Sequence, residues 1–347
     1  MVDQRRYDID WLRVIAIGLL LIYHVAIGFQ PWGVFIQFIQ SDKSLEKLWI
    51  GMSMINVWRI PFLFFVSGMG VFFALKKRNW KQLIKERTVR ILVPFVFGTL
   101  VIVPVHVLLW TDYYSQDYQF QFNPSHLWFL GNIFSYIILG LPLLFGLYQQ
   151  KDLIEKRLSR WLDHPLKLFV LTLPFLAEIA LVQPESFETY ALNWHGYFIG
   201  ITAFLTGFII MISGKPFWET VKQWYPLYFI IAFGLYQIRV WVFDLNASHY
   251  LMAFESVCWI LGVFGFGYRF LNKPSNLLKY LSQAAYPIYI IHMIWIYLAS
   301  YYFFQLEMNT WHQLIIVSVI TFLGSFISYH YIIRPIKWIR PLFGLKT

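Results

Sequence analysis

The chain has 347 residues, 59% of them hydrophobic and only 13% charged, where a soluble domain carries about 25% charged residues. That balance excludes a soluble globular or disordered protein, and the lone cysteine, Cys258, excludes a disulfide scaffold. The net charge of +10 raises nucleic acid or anionic lipid as partners, so the placement of the cations has to decide.

Taken in chain order, apolar runs able to cross a hydrocarbon core of ~30 Å, which takes about 20 helical residues, are predicted near 11–30, 49–75, 89–110, 126–147, 165–182, 194–213, 225–243, 250–270, 284–304 and 312–332. With ten spans both termini share a side. That side holds Arg5, Arg6, the segment "KKRNWKQLIKERTVR", the basic loops at 151–167, 215–222 and 269–279, and the residues from Arg334 onward. The opposite side holds only Lys43 and Lys47, while Arg13, Arg59 and Arg239 fall inside spans. The positive-inside rule then places both termini in the cytoplasm. The basic charge is a matter of topology, and nucleic acid is removed as a partner. The expected fold is an all-α integral membrane protein: a bundle of about ten transmembrane helices in a lipid bilayer. With no linker, low-complexity tract or inverted repeat, residues 1–347 read as one domain. The first run lacks a small-residue cleavage site and is expected to be an uncleaved anchor.

That first run, "DWLRVIAIGLLLIYHVAIGF" over residues 10–29, carries Arg13 and His24. A charge at the centre of an inserting helix costs about 2.5–3.5 kcal/mol, which makes an intramembrane ionisable residue a functional hypothesis by default. Eleven residues at about 100° each return to within about 20° of the same helix face, with roughly 16 Å of rise between the two side chains. Counted from the outer ends of their spans, His24 and Glu255 lie at similar depth. Either they pair to hold helices together, or they form a reactive centre. His106, His126, Glu178, His195 and Arg239 also fall in outer halves or at outer ends, with interfacial, snorkelling and cross-helix roles as the ordinary alternatives. Arg59 and His292 sit nearer mid-membrane.

At the opposite end, Arg87 and Arg90 share a helix face at i and i+3, with Arg13 at similar depth. A solvated cytoplasmic flank has this pattern; so does an anion clamp, because guanidinium groups grip phosphates bidentately and stay charged. Ser67, Gly68 and Gly70 in "FFVSGMGVFFAL" permit close helix approach or make room for an acyl chain.

These residues resemble acyltransferase family 3, a family of integral membrane proteins. The resemblance rests on an Arg, ten residues and a His in the first span (Arg13 to His24), an Arg-x-x-Arg opening the third (Arg87 and Arg90), "WRIPFLFFVSG" with Arg59, "SHLWFL" with His126 and Trp128, and "AAYPIYIIH" with Tyr289 and His292. Within the family, "HLWFL" and "ESVCWILGVFGFGYRFLN" look most like the branch of periplasmic-glucan succinyltransferases, which carries Glu255 as a matched position.

The resemblance implies transfer of an acyl group, acetyl or succinyl, from cytoplasmic acyl-CoA to a hydroxyl of an extracytoplasmic glycan or related acceptor, by a multi-pass protein of the bacterial inner membrane. Arg13, Arg87 and Arg90 then suit the CoA phosphates. His24 suits a general base, worth about 10²–10⁴-fold, with Glu255 orienting it as carboxylates do in hydrolytic triads. Arg59, His126, Trp128, Tyr289 and His292 remain for the oxyanion or the acceptor. Acyl-CoA is a substrate, and no bound cofactor is expected. No metal is expected either, since no span has His-x-x-x-His or Glu-x-x-His spacing. The rival from another class is a proton-coupled transporter or flippase of a glycan or anion, using His24 and Glu255 as a relay.

Overall fold

A computed structural model of the chain describes residues 5–346. Among the described residues the structure is helical throughout, without strands. In chain order the helices are α1 Tyr7–Ile27, α2 Leu48–Leu75, α3 Trp80–Tyr113, α4 Trp128–Gln149, α5 Lys151–Ser159, α6 Leu173–Val182, α7 Trp194–Ile212, α8 Lys215–Trp241, α9 His249–Phe270, α10 Asn276–Phe303 and α11 Thr310–Ile327. Side-chain caps fix three of the starts: Asn193, Ser248 and Asn309 accept backbone N–H groups in the first turns of α7, α9 and α11.

Among the described residues eight helices, α1 to α4, α7 and α9 to α11, are long and apolar enough to cross a membrane. The expected run at 165–182 is divided into a 3-10 segment, Leu166–Thr172, and α6. The run at 225–243 begins within α8 and ends two residues beyond it, and the first turns of that helix carry Lys215, Glu219 and Lys222. The surface is inverted relative to a soluble protein. Along α11, Ile315, Val319, Leu323 and Ile327 recur at every fourth residue and are exposed, whereas Gln313, Thr321 and Ser325 are buried. A helix solvated by lipid presents its apolar stripe outward and satisfies its polar groups within the protein. The chain is an integral, multi-pass membrane protein.

Prolines shape α3. Its helix widens into π turns at Thr88–Leu92 and Gly98–Ile102, just before or at the turn holding Pro94 and Pro104. Proline lacks the N–H that would bond the carbonyl four residues back, here of Arg90 and Leu100, and its ring collides with that carbonyl. Opening the turn relieves the clash, and it places Arg90 in an irregular stretch of backbone. A third π turn, Ser328–Ile333, precedes Pro335 after α11.

The chain packs as two compact units interleaved in sequence. The first comprises Met1–Ala16, Ser53–Lys85 and Asn132–Leu278; the second comprises Ile17–Met52, Glu86–Gly131 and Lys279–Thr347. In the first unit, α2 and α7 meet backbone to backbone. A Cβ on Gly68 would lie 1.9 Å from the carbonyl oxygen of Phe204, and one on Gly207 would lie 2.1 Å from that of Phe65. Gly68 is therefore a helix contact, the packing role open to small residues in membranes. In the second unit a core of Val25, Phe29, Phe38, Ile39, Met293, Tyr297 and Phe304 surrounds the loop that follows α1.

Candidate functional site

The second unit gathers four histidines from three spans and a turn. His24 comes from α1, His292 from α10, His106 from α3 and His126 from the turn Ser125–Leu127 that leads into α4. His24 and His292 stack with ring centroids 5.1 Å apart and planes at 4°. His126 stands edge-on to His292 at 5.1 Å, and His106 edge-on to His126 at 5.7 Å. His292, His106 and His126 are buried, and His24 is half-buried.

Hydrogen bonds settle which nitrogens carry protons. Nδ1 of His292 lies 2.6 Å from the backbone carbonyl of Tyr289. A carbonyl only accepts, so this nitrogen is the N–H and the neutral ring has its lone pair on Nε2. That Nε2 lies 2.8 Å from Nδ1 of His24, so His24 donates from Nδ1. The neutral His24 ring therefore keeps its lone pair on Nε2, in the tautomer a general base requires. The braces are rigid: the Tyr289 hydroxyl donates to the backbone carbonyl of His126, and Nε2 of His126 donates to the carbonyl of Ile290 at 3.1 Å. Tyr289 and His126 thus hold the backbone of α10 against the turn before α4, and the Tyr289 hydroxyl proton, considered for an oxyanion, is committed to His126. Trp128, the first residue of α4, packs edge-on to Phe129 at 6.3 Å.

Glu255 has a different set of partners from the one expected. It belongs to the first unit, where Arg239 grips it with both arms: Nε to Oε2 at 2.8 Å and Nη2 to Oε1 at 3.1 Å. The indole of Trp259 donates to Oε1 at 3.3 Å. Arg239 also donates to Glu188 at 3.0 Å and to the carbonyl of Ser53 at 3.1 Å. Arg239 and Glu255 are both fully buried, so Arg239 is not a snorkelling residue. The pairing expected for His24 is made with the imidazole of His292, and the carboxylate serves an ion pair across the α8–α9 hairpin. The signal was in the sequence: Arg239 precedes, and Glu255 follows, one short turn between consecutive helices, so a buried cation and a buried anion face each other across it. The loop residue Glu188 joins this cluster, and burial pushes its carboxyl up to about 7 against the pull of Arg239.

Arg59, buried on α2 in the same unit, places Nη2 3.5 Å from Oδ1 of Asn56, whose amide donates to the carbonyl of Glu188. Glu178 and His195, expected at outer ends, are also buried and paired, Nδ1 to Oε1 at 2.9 Å, and Nε2 of His195 bonds the carbonyl of Phe187 at 3.0 Å. Both pairs tie down the loop from 183 to 193.

Of the three arginines expected to form an anion clamp, Arg87 and Arg90 lie in the second unit at the first π turn of α3. Arg90 is 3.4 Å from Glu86. Against its backbone packs the carboxy-terminal 3-10 turn Arg340–Phe343, with Phe343 edge-on to Phe97 at 5.4 Å. The following Gly344 has φ +69 and leaves no room for a side chain: a Cβ would lie 2.9 Å from the carbonyl oxygen of Arg90. Arg13, in the first unit, is half-exposed and 3.1 Å from Asp10. Among the described residues no group of three or more His, Cys, Asp or Glu side chains is arranged to hold a metal ion.

The structure thus carries His24 on the first span, braced by His292 of α10, and the Arg-x-x-Arg of Arg87 and Arg90 on α3. The chain belongs to acyltransferase family 3: the family model, described as an acyltransferase domain, matches residues 6–330. No curated protein and no solved structure matches the chain.

Proposed function

We propose that the protein moves an acetyl or succinyl group from cytoplasmic acyl-CoA to a hydroxyl of an extracytoplasmic glycan or related acceptor. The observation that carries this reading is the His24–His292 pair, pinned by the Tyr289 carbonyl in the tautomer that leaves His24 Nε2 basic. In the transfer, Nε2 takes the proton of the acceptor hydroxyl as its oxygen attacks the thioester carbonyl. The tetrahedral intermediate then expels the CoA sulfur, which receives that proton from His24, leaving ester and free CoA. The lone pair of His292 accepts from Nδ1 throughout and stabilises the imidazolium, the part a carboxylate plays in hydrolytic triads.

Arg87 and Arg90 are assigned to the phosphates of CoA, because guanidinium groups stay charged and bind phosphate as a fork. Placement in the bacterial inner membrane and likeness to the glucan succinyltransferase branch belong to the same proposal and rest on the motifs around His126 and Glu255. The test is incubation of purified protein with radiolabelled acetyl-CoA and succinyl-CoA and a periplasmic glycan fraction. Free CoA and labelled glycan are expected, and both should disappear in His24→Ala. Vesicle uptake of glycan without any CoA release would instead identify a transporter.

A further inference from the structure

We propose that the second unit contains an acceptor subsite for a neutral, polyhydroxylated ligand such as a sugar, formed by Gln37, His106, Trp110, Ser125 and Tyr297. The proposal rests on the acyl-transfer reading and adds to it the place where a hydroxyl other than the reacting one is held.

These residues line a cavity of about 20 Å³. A cavity needs roughly 10–15 Å³ of such volume to take one water molecule, so this one holds a single hydroxyl group. The lining includes no Lys, Arg, Asp or Glu, which argues against a phosphate or carboxylate ligand and for a neutral one.

The polar groups suit an alcohol. Ser125 Oγ and His106 Nε2 are 3.3 Å apart, a pair that offers both a donor and an acceptor. The buried indole Nε1 of Trp110 has no hydrogen-bond partner among the described residues, and an incoming hydroxyl oxygen accepts from it. Two of the lining rings, Tyr297 and His106, pack on each other with centroids 4.8 Å apart, which holds the imidazole in place.

The backbone is committed to this arrangement. Ser125 is held at φ +46 and Gln37 at φ +65, a region that side chains other than glycine seldom occupy and that concentrates at functional sites. Asn123 accepts the Ser125 N–H at 2.8 Å, and the Tyr297 hydroxyl donates to the carbonyl of Gln37. Gln37 and Ser125 follow α1 and α3 in the two loops that the cation distribution assigns to the extracytoplasmic side, where the acceptor waits. The cavity is also contiguous with the histidine cluster, because His106 belongs to both.

The test uses the full-length protein in detergent micelles and reads binding apart from turnover. Saturation-transfer NMR with methyl β-glucopyranoside as probe, and cyclohexanol as the monohydric control, should show stronger transfer to the glucoside. Ser125→Ala and Trp110→Phe, which keep backbone and ring, should each raise the glucoside Kd about tenfold while the proteins stay monodisperse. No saturation transfer to the glucoside, or a glucoside Kd unchanged in both variants, overturns the subsite. Turnover addresses the other reading: a His24→Ala protein that releases CoA and labels glycan at the unmodified protein's rate defeats the acyl-transfer mechanism whatever the glucoside Kd.

Discussion

The two polar clusters of this protein solve the cost of burial in opposite ways. In the first unit Arg239, Glu255 and Glu188 are charged groups whose bonds point at one another, and Arg239 has Nε, Nη1 and Nη2 all engaged. A buried ion pair of this kind holds a particular arrangement together more than it adds net stability. In the second unit the buried groups are imidazoles, held by backbone carbonyls and by each other. A neutral imidazole is far cheaper to bury than a lone charge, and it can take up and return a proton. The comparison teaches that the saturated cluster has its donors and acceptors committed to structure, whereas the imidazole cluster is built of groups able to exchange a proton near neutral pH.

The largest expected effect separates those roles. His24→Ala should lower acyl transfer by about 10²–10⁴-fold, the contribution of a general base, with thermal stability nearly unchanged. Loss of folding without a specific loss of turnover would move His24 into the architectural class. Arg239→Ala should do the reverse, costing about 3–5 kcal/mol because it leaves Glu255 buried and uncompensated, whereas Arg239→Met with Glu255→Leu should recover most of that in thermal unfolding. If the double variant is as unstable as the single one, the cluster does more than balance charge.

Smaller effects sharpen the picture within each cluster. His292→Phe removes the acceptor of the His24 Nδ1–H and should reduce kcat by about 10–100-fold, in line with the roughly 1–3 kcal/mol attached to an unsatisfied buried donor. His292→Asn, whose amide oxygen can accept the same hydrogen, should restore part of it. Arg87→Lys keeps charge but loses the planar fork and should raise KM for acyl-CoA by about tenfold with kcat little altered. Glu188 yields the smallest effect, a pH slope. Its folded carboxyl is raised from an ordinary value near 4.5 to about 7. Its contribution to stability is complete below pH 4.5 and is lost as pH rises towards 7, since the unfolded chain ionises first. The melting temperature of the native protein should fall more steeply between pH 5 and 8 than that of Glu188→Gln. Parallel curves would show that Glu188 ionises normally in the fold.

Hydropathy by itself determined a multi-pass helical protein, because a bilayer imposes length and apolarity on every span separately. Ordered motifs around Arg13, His24, Arg87 and Arg90 determined the family for a similar reason: each is local, and each can be read along one helix. Partner choice was not legible in that way. Matched depth made Glu255 a partner for His24, yet depth is one coordinate, and a side chain bonds in three. Rotation of α8 and α9 about their hairpin gives Glu255 to Arg239, while the carbonyl of Tyr289, which any sequence would supply at that position, turns His292 towards His24. Only tertiary packing decides such contacts, because the groups that orient them are backbone atoms and helix rotations that leave no mark in residue identity.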